Sequence, residues 1–262
     1  MQIIDPIVFG GAIGVGLFFS ILIALRLGRR VGLRAIRLHG ETGSGGVGSL
    51  ETAVFALLGL LIAFTFSGAL TRFDVRRAQI VDEANAIGTA WLRIDTLPAA
   101  EQPKMRDLFK RYVDSRIATY KLLPDIEAAR SELARSQQLQ NEIWAMGVTA
   151  SRAPEAKPNT DLLYLPALNS MFDITTVRTT ATQMHPPVII YVMLVGLALA
   201  AALLAGYQTA GQKGYDWMQK VGFAGIVALT VYVILDIEYP RLGFVRIDPM
   251  DQLLVNVRAG MK

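Results

Sequence analysis

The sequence predicts an all-α integral membrane protein with four transmembrane helices and a helical extramembrane domain. The second span is expected to continue into that domain as one long helix. Three observations carry this reading. Of 262 residues, 52% are hydrophobic and the mean hydropathy is +0.38, more apolar than an ordinary soluble chain. Apolar runs at 7–25, 50–70, 188–207 and 221–237 have the length that crosses a hydrocarbon layer about 30 Å thick. Finally, nothing between Leu50 and Pro98 breaks a helix. Phe66, Phe73, Ile80, Ile87 and Ile94 recur every seven residues there, with Leu70, Ala84 and Trp91 in most of the d-like places. Such a seam belongs to a helix packed lengthwise against others. Phe73, Ile80, Ile87 and Ile94 are its extramembrane part.

In the first span, Asp5 precedes the apolar run, and Arg26, Arg29, Arg30, Arg34 and Arg37 follow it. A cleaved signal peptide has the reverse charge order and a small-residue cleavage site, so an uncleaved helix is expected. Arginines favour the cytoplasmic side. They place the termini and the extramembrane domain in the periplasm of a bacterial inner membrane. Ala12, Gly16, Ser20, Ala24 and Gly28 form a small-residue stripe that lets another helix approach closely. With a second ladder at Ala198, Ala202 and Gly206, it exceeds what one four-helix bundle needs, so a homo-oligomer is expected.

The Gly-rich stretch 39–48 contains Gly43, Gly45 and Gly48 in G-x-G-x-x-G spacing. A dinucleotide fingerprint needs a preceding strand and a βαβ unit. Here an arginine-rich segment precedes and a membrane span follows, so no cofactor is expected. Beyond Pro98, amphipathic helices are expected at 101–123, 125–146 and 161–184, joined through a Pro-punctuated loop at 151–160. His185, Pro186 and Pro187 mark the return to the membrane. The expected divisions are therefore 1–70, 71–187, 188–239 and a tail, 240–262.

The chain has no cysteine and only His39 and His185. Disulfides, thiolate metal sites and a cysteine nucleophile are excluded, and no recognisable catalytic motif is present, so no enzymatic activity is expected. The net charge of +4 comes mostly from arginines near membrane ends, which suits lipid headgroups and not nucleic acid. Charged residues are missing from the centres of all four spans, which argues against a proton-coupled carrier. A passive pore with a hydrophobic constriction remains open, and Ile62, Phe64 and Phe66 are its candidates. Two polar clusters stand out. Arg76, Arg77, Asp82, Glu83 and Asn85 have the spacing of a surface network on the long helix. Asp236, Glu238, Asp248 and Asp251 surround a turn with Pro240 and Gly243, a composition that can hold a cation such as calcium through oxygen ligands.

Three segments resemble the bacterial bestrophin-like membrane family: FSGALTRFDVRRAQIVDEANAIGTAWLRIDTLP, LPALNSMFDITTVRTTATQMHPP and LDIEYPRLGFVRIDPMDQL. The resemblance spans nearly the whole chain and implies four spans around a helical middle. Bestrophins themselves are pentameric ion channels with a hydrophobic neck on the second span and an acidic segment after the last. By that analogy Ile62, Phe64 and Phe66 occupy the neck region, and Glu238, Pro240, Gly243, Asp248 and Asp251 echo the acidic segment. The implied function is a passive ion channel. The competing reading is a non-conducting membrane scaffold or sensor whose headpiece binds a protein partner.

Overall fold

The computed structural model describes residues 6–39, 47–211 and 217–262, and among them all regular structure is helical. The helices are α1 (Pro6–His39), α2 (Val47–Arg93), α3 (Gln102–Lys121), α4 (Ile126–Ser151), α5 (Thr160–Ala181), α6 (Val188–Gln208), α7 (Trp217–Glu238) and α8 (Gln252–Gly260). Among the described residues, four of these are long and apolar enough to cross a membrane: α1, α2, α6 and α7. The chain divides into two compact units. One joins Met1–Phe73 to His185–Val245, and the other joins Asp74–Met184 to Arg246–Lys262. The tail expected from 240 onward is thus split at residue 246, and its second part belongs with the extramembrane helices. Most of the Gly-rich stretch, including Gly43 and Gly45, lies outside the described residues.

In the membrane unit, α1 packs along α6 and α7. The α1–α6 contact is backbone against backbone. A Cβ on Gly28 would collide with the Leu203 carbonyl and reach 3.0 Å from the Tyr207 nitrogen, and one on Gly206 would collide with the Leu25 carbonyl. Glycine is required at both crossings because a side chain would force the helices apart. Ala198 and Ala202 continue this buried face of α6. The α1 stripe behaves differently. Ala24 and Gly28 are buried, while Ala12, Gly16 and Ser20 are exposed. A row of every fourth residue drifts by about 40° per step around a 3.6-residue helix, so it leaves the contact face after two turns. The helix also runs past the arginines to His39. No proline or glycine pair interrupts 33–39, and Leu, Arg and Ala favour helix.

In the extramembrane unit, α3 packs on α4, α4 on α5, and α8 closes over α3. Asp125 caps α4 by accepting a hydrogen bond from the Ala128 N–H at 3.1 Å, replacing a partner the first turn lacks. Ile80 and Ile87 of α2, and Ile94 in the 3-10 turn that follows it, are fully buried. Ile87 and Ile94 join a core with Met105, Phe109, Ile143 and Leu168. Phe73 is half-buried and packs within the membrane unit. Phe66 and Leu70 are 38% and 41% exposed, so the seven-residue repeat changes role along α2: it faces the core from Ile80 onward and open surface before Phe73.

Candidate functional site

α2 is the element on which the candidate conduction site rests. Within its apolar run, Leu58, Thr65 and Ala69 are buried, whereas Leu57, Leu60, Phe64, Phe66 and Leu70 remain open. One narrow stripe is therefore covered by the chain's own helices, and apolar surface flanks it on both sides. The three predicted constriction residues do not share a face. Ile62 and Phe66 are one turn apart and lie in one row, but Phe64 projects to roughly the opposite side, about 200° round from Ile62. Ile62 is half-buried, and Phe64 is 68% exposed. Of the three, only Ile62 and Phe66 lie in one row, which Leu70 continues, because a helix cannot present residues two apart to one side.

At the end of that run, still within the membrane unit, Glu238 is completely buried. Arg72 donates to it through Nε, at 2.9 Å to Oε2, and through Nη2 at 2.7 Å. His185 Nδ1 lies 2.9 Å from its other oxygen, and the imidazole stacks on Tyr239 at 4.4 Å between centroids. A bidentate arginine and an imidazole thus hold a carboxylate that burial would otherwise penalise. Asp236 accepts hydrogen bonds from the Phe244 and Val245 N–H groups at 2.9 and 2.8 Å. Gly243 faces this carboxylate so closely that a Cβ would collide with it. Asp236 therefore ties the turn after α7 together.

The other two predicted cation ligands belong to the extramembrane unit. Asp248 pairs with Arg246 at 2.5 Å, and Asp251 accepts from Arg178 at 2.5 Å. Each of the four carboxylates is thus engaged with arginine, histidine or backbone N–H partners. Among the described residues, no group of three or more His, Asp or Glu side chains gathers in a way that could hold a metal ion.

The largest departure from expectation is the cluster around Glu83, which sequence spacing assigns to the surface. Arg76, Gln79 and Glu83 are buried, with Glu83 at 0% exposure. Arg116 Nε donates to Glu83 Oε1 at 2.6 Å, and Arg178 Nη1 donates to Oε2 at 2.5 Å. Arg178 also bonds Asp251 and lies 3.7 Å over the Tyr120 ring, while Arg116 donates to the Tyr120 hydroxyl. Arg76 donates to the carbonyls of Ala181 and Met184. Arg116, too, is fully buried. Burial alone would push the Glu83 carboxyl up, but the charges and hydrogen bonds of Arg116 and Arg178 outweigh it and hold the group below its ordinary value. One carboxylate therefore links α2, α3 and α5, and through Asp251 the link extends to the segment before α8.

A family model described as the bestrophin-like domain matches residues 32–251. The chain belongs to the bestrophin-like family. Solved structures agree on the fold. A single-substitution variant of a bacterial bestrophin homologue from Klebsiella pneumoniae superposes with a TM-score of 0.69 at 12% identity, covering 95% of this chain and 97% of that one. Another crystal structure of the Klebsiella pneumoniae homologue gives 0.67 at 14% identity, covering 93% and 96%. No curated protein sequence matches. At these identities the likeness speaks for the fold, and this bestrophin-like chain's own residues must carry any functional argument.

Proposed function

We propose that this bestrophin-like chain assembles as a homo-oligomer and conducts ions passively along an axis lined by the α2 spans. The observation that supports this most is the coverage of α2: a single stripe is buried, and apolar surface is open on either side of it. A peripheral helix needs only its buried stripe and lipid. A helix between copies of the chain has use for two further faces, one against a neighbour and one toward an axis. The α2 run from Thr52 to Thr71 carries no Asp, Glu, Lys, Arg or His, so a carrier mechanism with an intramembrane titrating group has no residue to use here. The row Ile62–Phe66–Leu70 would form a narrow apolar ring, a gate that dewetting can close. The arginines after the first span support placing that end in the cytoplasm of a bacterial inner membrane, with the termini and headpiece periplasmic.

The test is reconstitution. Purified protein in mild detergent should run as an oligomer in native mass spectrometry. The same protein in liposomes should dissipate a salt gradient faster than empty liposomes do. Monomer alone would contradict the assembly. An oligomer without flux would contradict conduction and favour the scaffold whose headpiece engages a protein partner.

A further inference from the structure

The arginine-rich extension of α1 has no part in the proposed conduction path, and its chemistry points elsewhere. Arg26, Arg30, Arg34 and Arg37 are all exposed and lie along one side of α1, given about 100° per residue. Leu27, Val31 and Leu38 form the adjacent row, exposed at 47%, 50% and 77%. Neither α1 nor α6 contains an Asp or Glu. Among the described residues these four arginines make no ion pair or hydrogen bond. A basic row that no described residue neutralises, beside an exposed apolar row, is unsuited to water alone.

The glycine contacts set the depth of this surface. Leu25 and Gly28 lie against Gly206 and Leu203, and Gly32 lies against Tyr207 and Ala210. Both chains of residues advance in the same direction, so the two helices leave the apolar layer together. The apolar run of α6 ends at Gly206 and Tyr207, which places Arg26 and Arg30 beside its last turns and Arg34 and Arg37 just beyond. In the same unit, α7 starts at Trp217, which is 70% exposed. Tyr207 and Trp217 are the aromatic residues that mark a bilayer–water boundary. At that depth long arginine side chains reach the headgroup layer while their stems and the neighbouring leucines stay among acyl chains.

We infer that the outer side of α1 from Arg26 to Leu38 binds phosphate-bearing anionic lipid headgroups, with Leu27 and Val31 against the upper acyl chains. This rests on the chain spanning a membrane and is independent of whether it conducts. Full-length protein in dodecyl maltoside is titrated with dioleoylphosphatidylglycerol or dioleoylphosphatidylcholine, and bound lipid is counted by native mass spectrometry. Phosphatidylglycerol should bind more tightly. Its apparent affinity should fall by about fivefold for each of Arg26→Gln, Arg30→Gln and Arg34→Gln combined in turn. Arg130→Gln with Arg135→Gln, on the exposed side of α4, should leave it unchanged. Should the triple glutamine variant not fold, Arg30→Gln alone must still weaken binding, and the triple lysine variant must retain the preference. Equal affinity for the two lipids, an unchanged glutamine variant, or displacement of phosphatidylglycerol by inorganic phosphate would each overturn the inference.

Discussion

Replacing Glu83 by alanine is expected to destabilise the extramembrane unit by about 3–5 kcal/mol, because it strands two buried arginines. Arg116 is fully buried and Arg178 is 3% exposed. Without the carboxylate, Arg116 keeps only the Tyr120 hydroxyl and ring, and Arg178 keeps Asp251 and the same ring. Glu83→Gln should be milder in packing, yet it removes the charge that both guanidiniums require. A pH dependence follows from the same geometry. The Glu83 carboxyl is held below its unfolded value, so its contribution is fully present above the ordinary carboxylate range. It is lost as pH falls through the lower, folded value. In the Glu83→Gln protein that acid-side loss should shrink. Thermal unfolding in detergent as a function of pH reads both effects. Parental stability in Glu83→Ala would mean the arginines are solvated and the network is not a buried one.

Ile87→Ala should cost about 2–5 kcal/mol through a cavity that its neighbours cannot fill. Ile87 is fully buried in a core with Met105, Phe109 and Leu168, and such a loss is a large fraction of a domain's stability. Limited proteolysis should show faster cutting of the extramembrane unit. The proper comparison is Asn85→Ala, which is exposed on the same helix. Glu83→Ala, which by spacing alone looks like a harmless control, is unsuitable because that side chain is buried. Equal cutting of Ile87→Ala and Asn85→Ala would remove the seam from the core.

The long helix and its repeat were readable because both depend on local pattern. A helix of 47 residues forms from Val47 to Arg93, where no proline or turn sequence interrupts the periodicity. Glu83 was misplaced for an instructive reason. It follows Ile80 by three residues and precedes Ile87 by four, so it lies on the apolar stripe and not beside it. Arg116 follows Tyr112 by four on the α3 stripe, and Arg178 follows Met171 and Thr175 on the α5 stripe. Each charge, read alone, resembles a surface residue. Read together, three charges on three apolar stripes demand mutual pairing, since burying any one alone is prohibitive. That signal was present in the spacing. The partner of Glu238 was not, because Arg72 lies 166 positions away and no periodicity connects them. The aligned row of Ile62 and Phe66, and the separation of Phe64 from it, follow from helix geometry once the run is known to be helical.

If the α2 spans line a conduction path as proposed, they do so with one particular row. The chain has no cysteine, so single cysteines can be introduced without a background. Cysteines at Ile62, Phe66 and Leu70, and at Leu60, Phe64 and Ser67, would each be reconstituted and treated with a charged, membrane-impermeant thiol reagent. The expected result is loss of flux at Ile62, Phe66 and Leu70, with the Leu60, Phe64 and Ser67 series unaffected. Block confined to the Phe64 series, or flux that no modified position changes, would contradict a path lined by Ile62, Phe66 and Leu70.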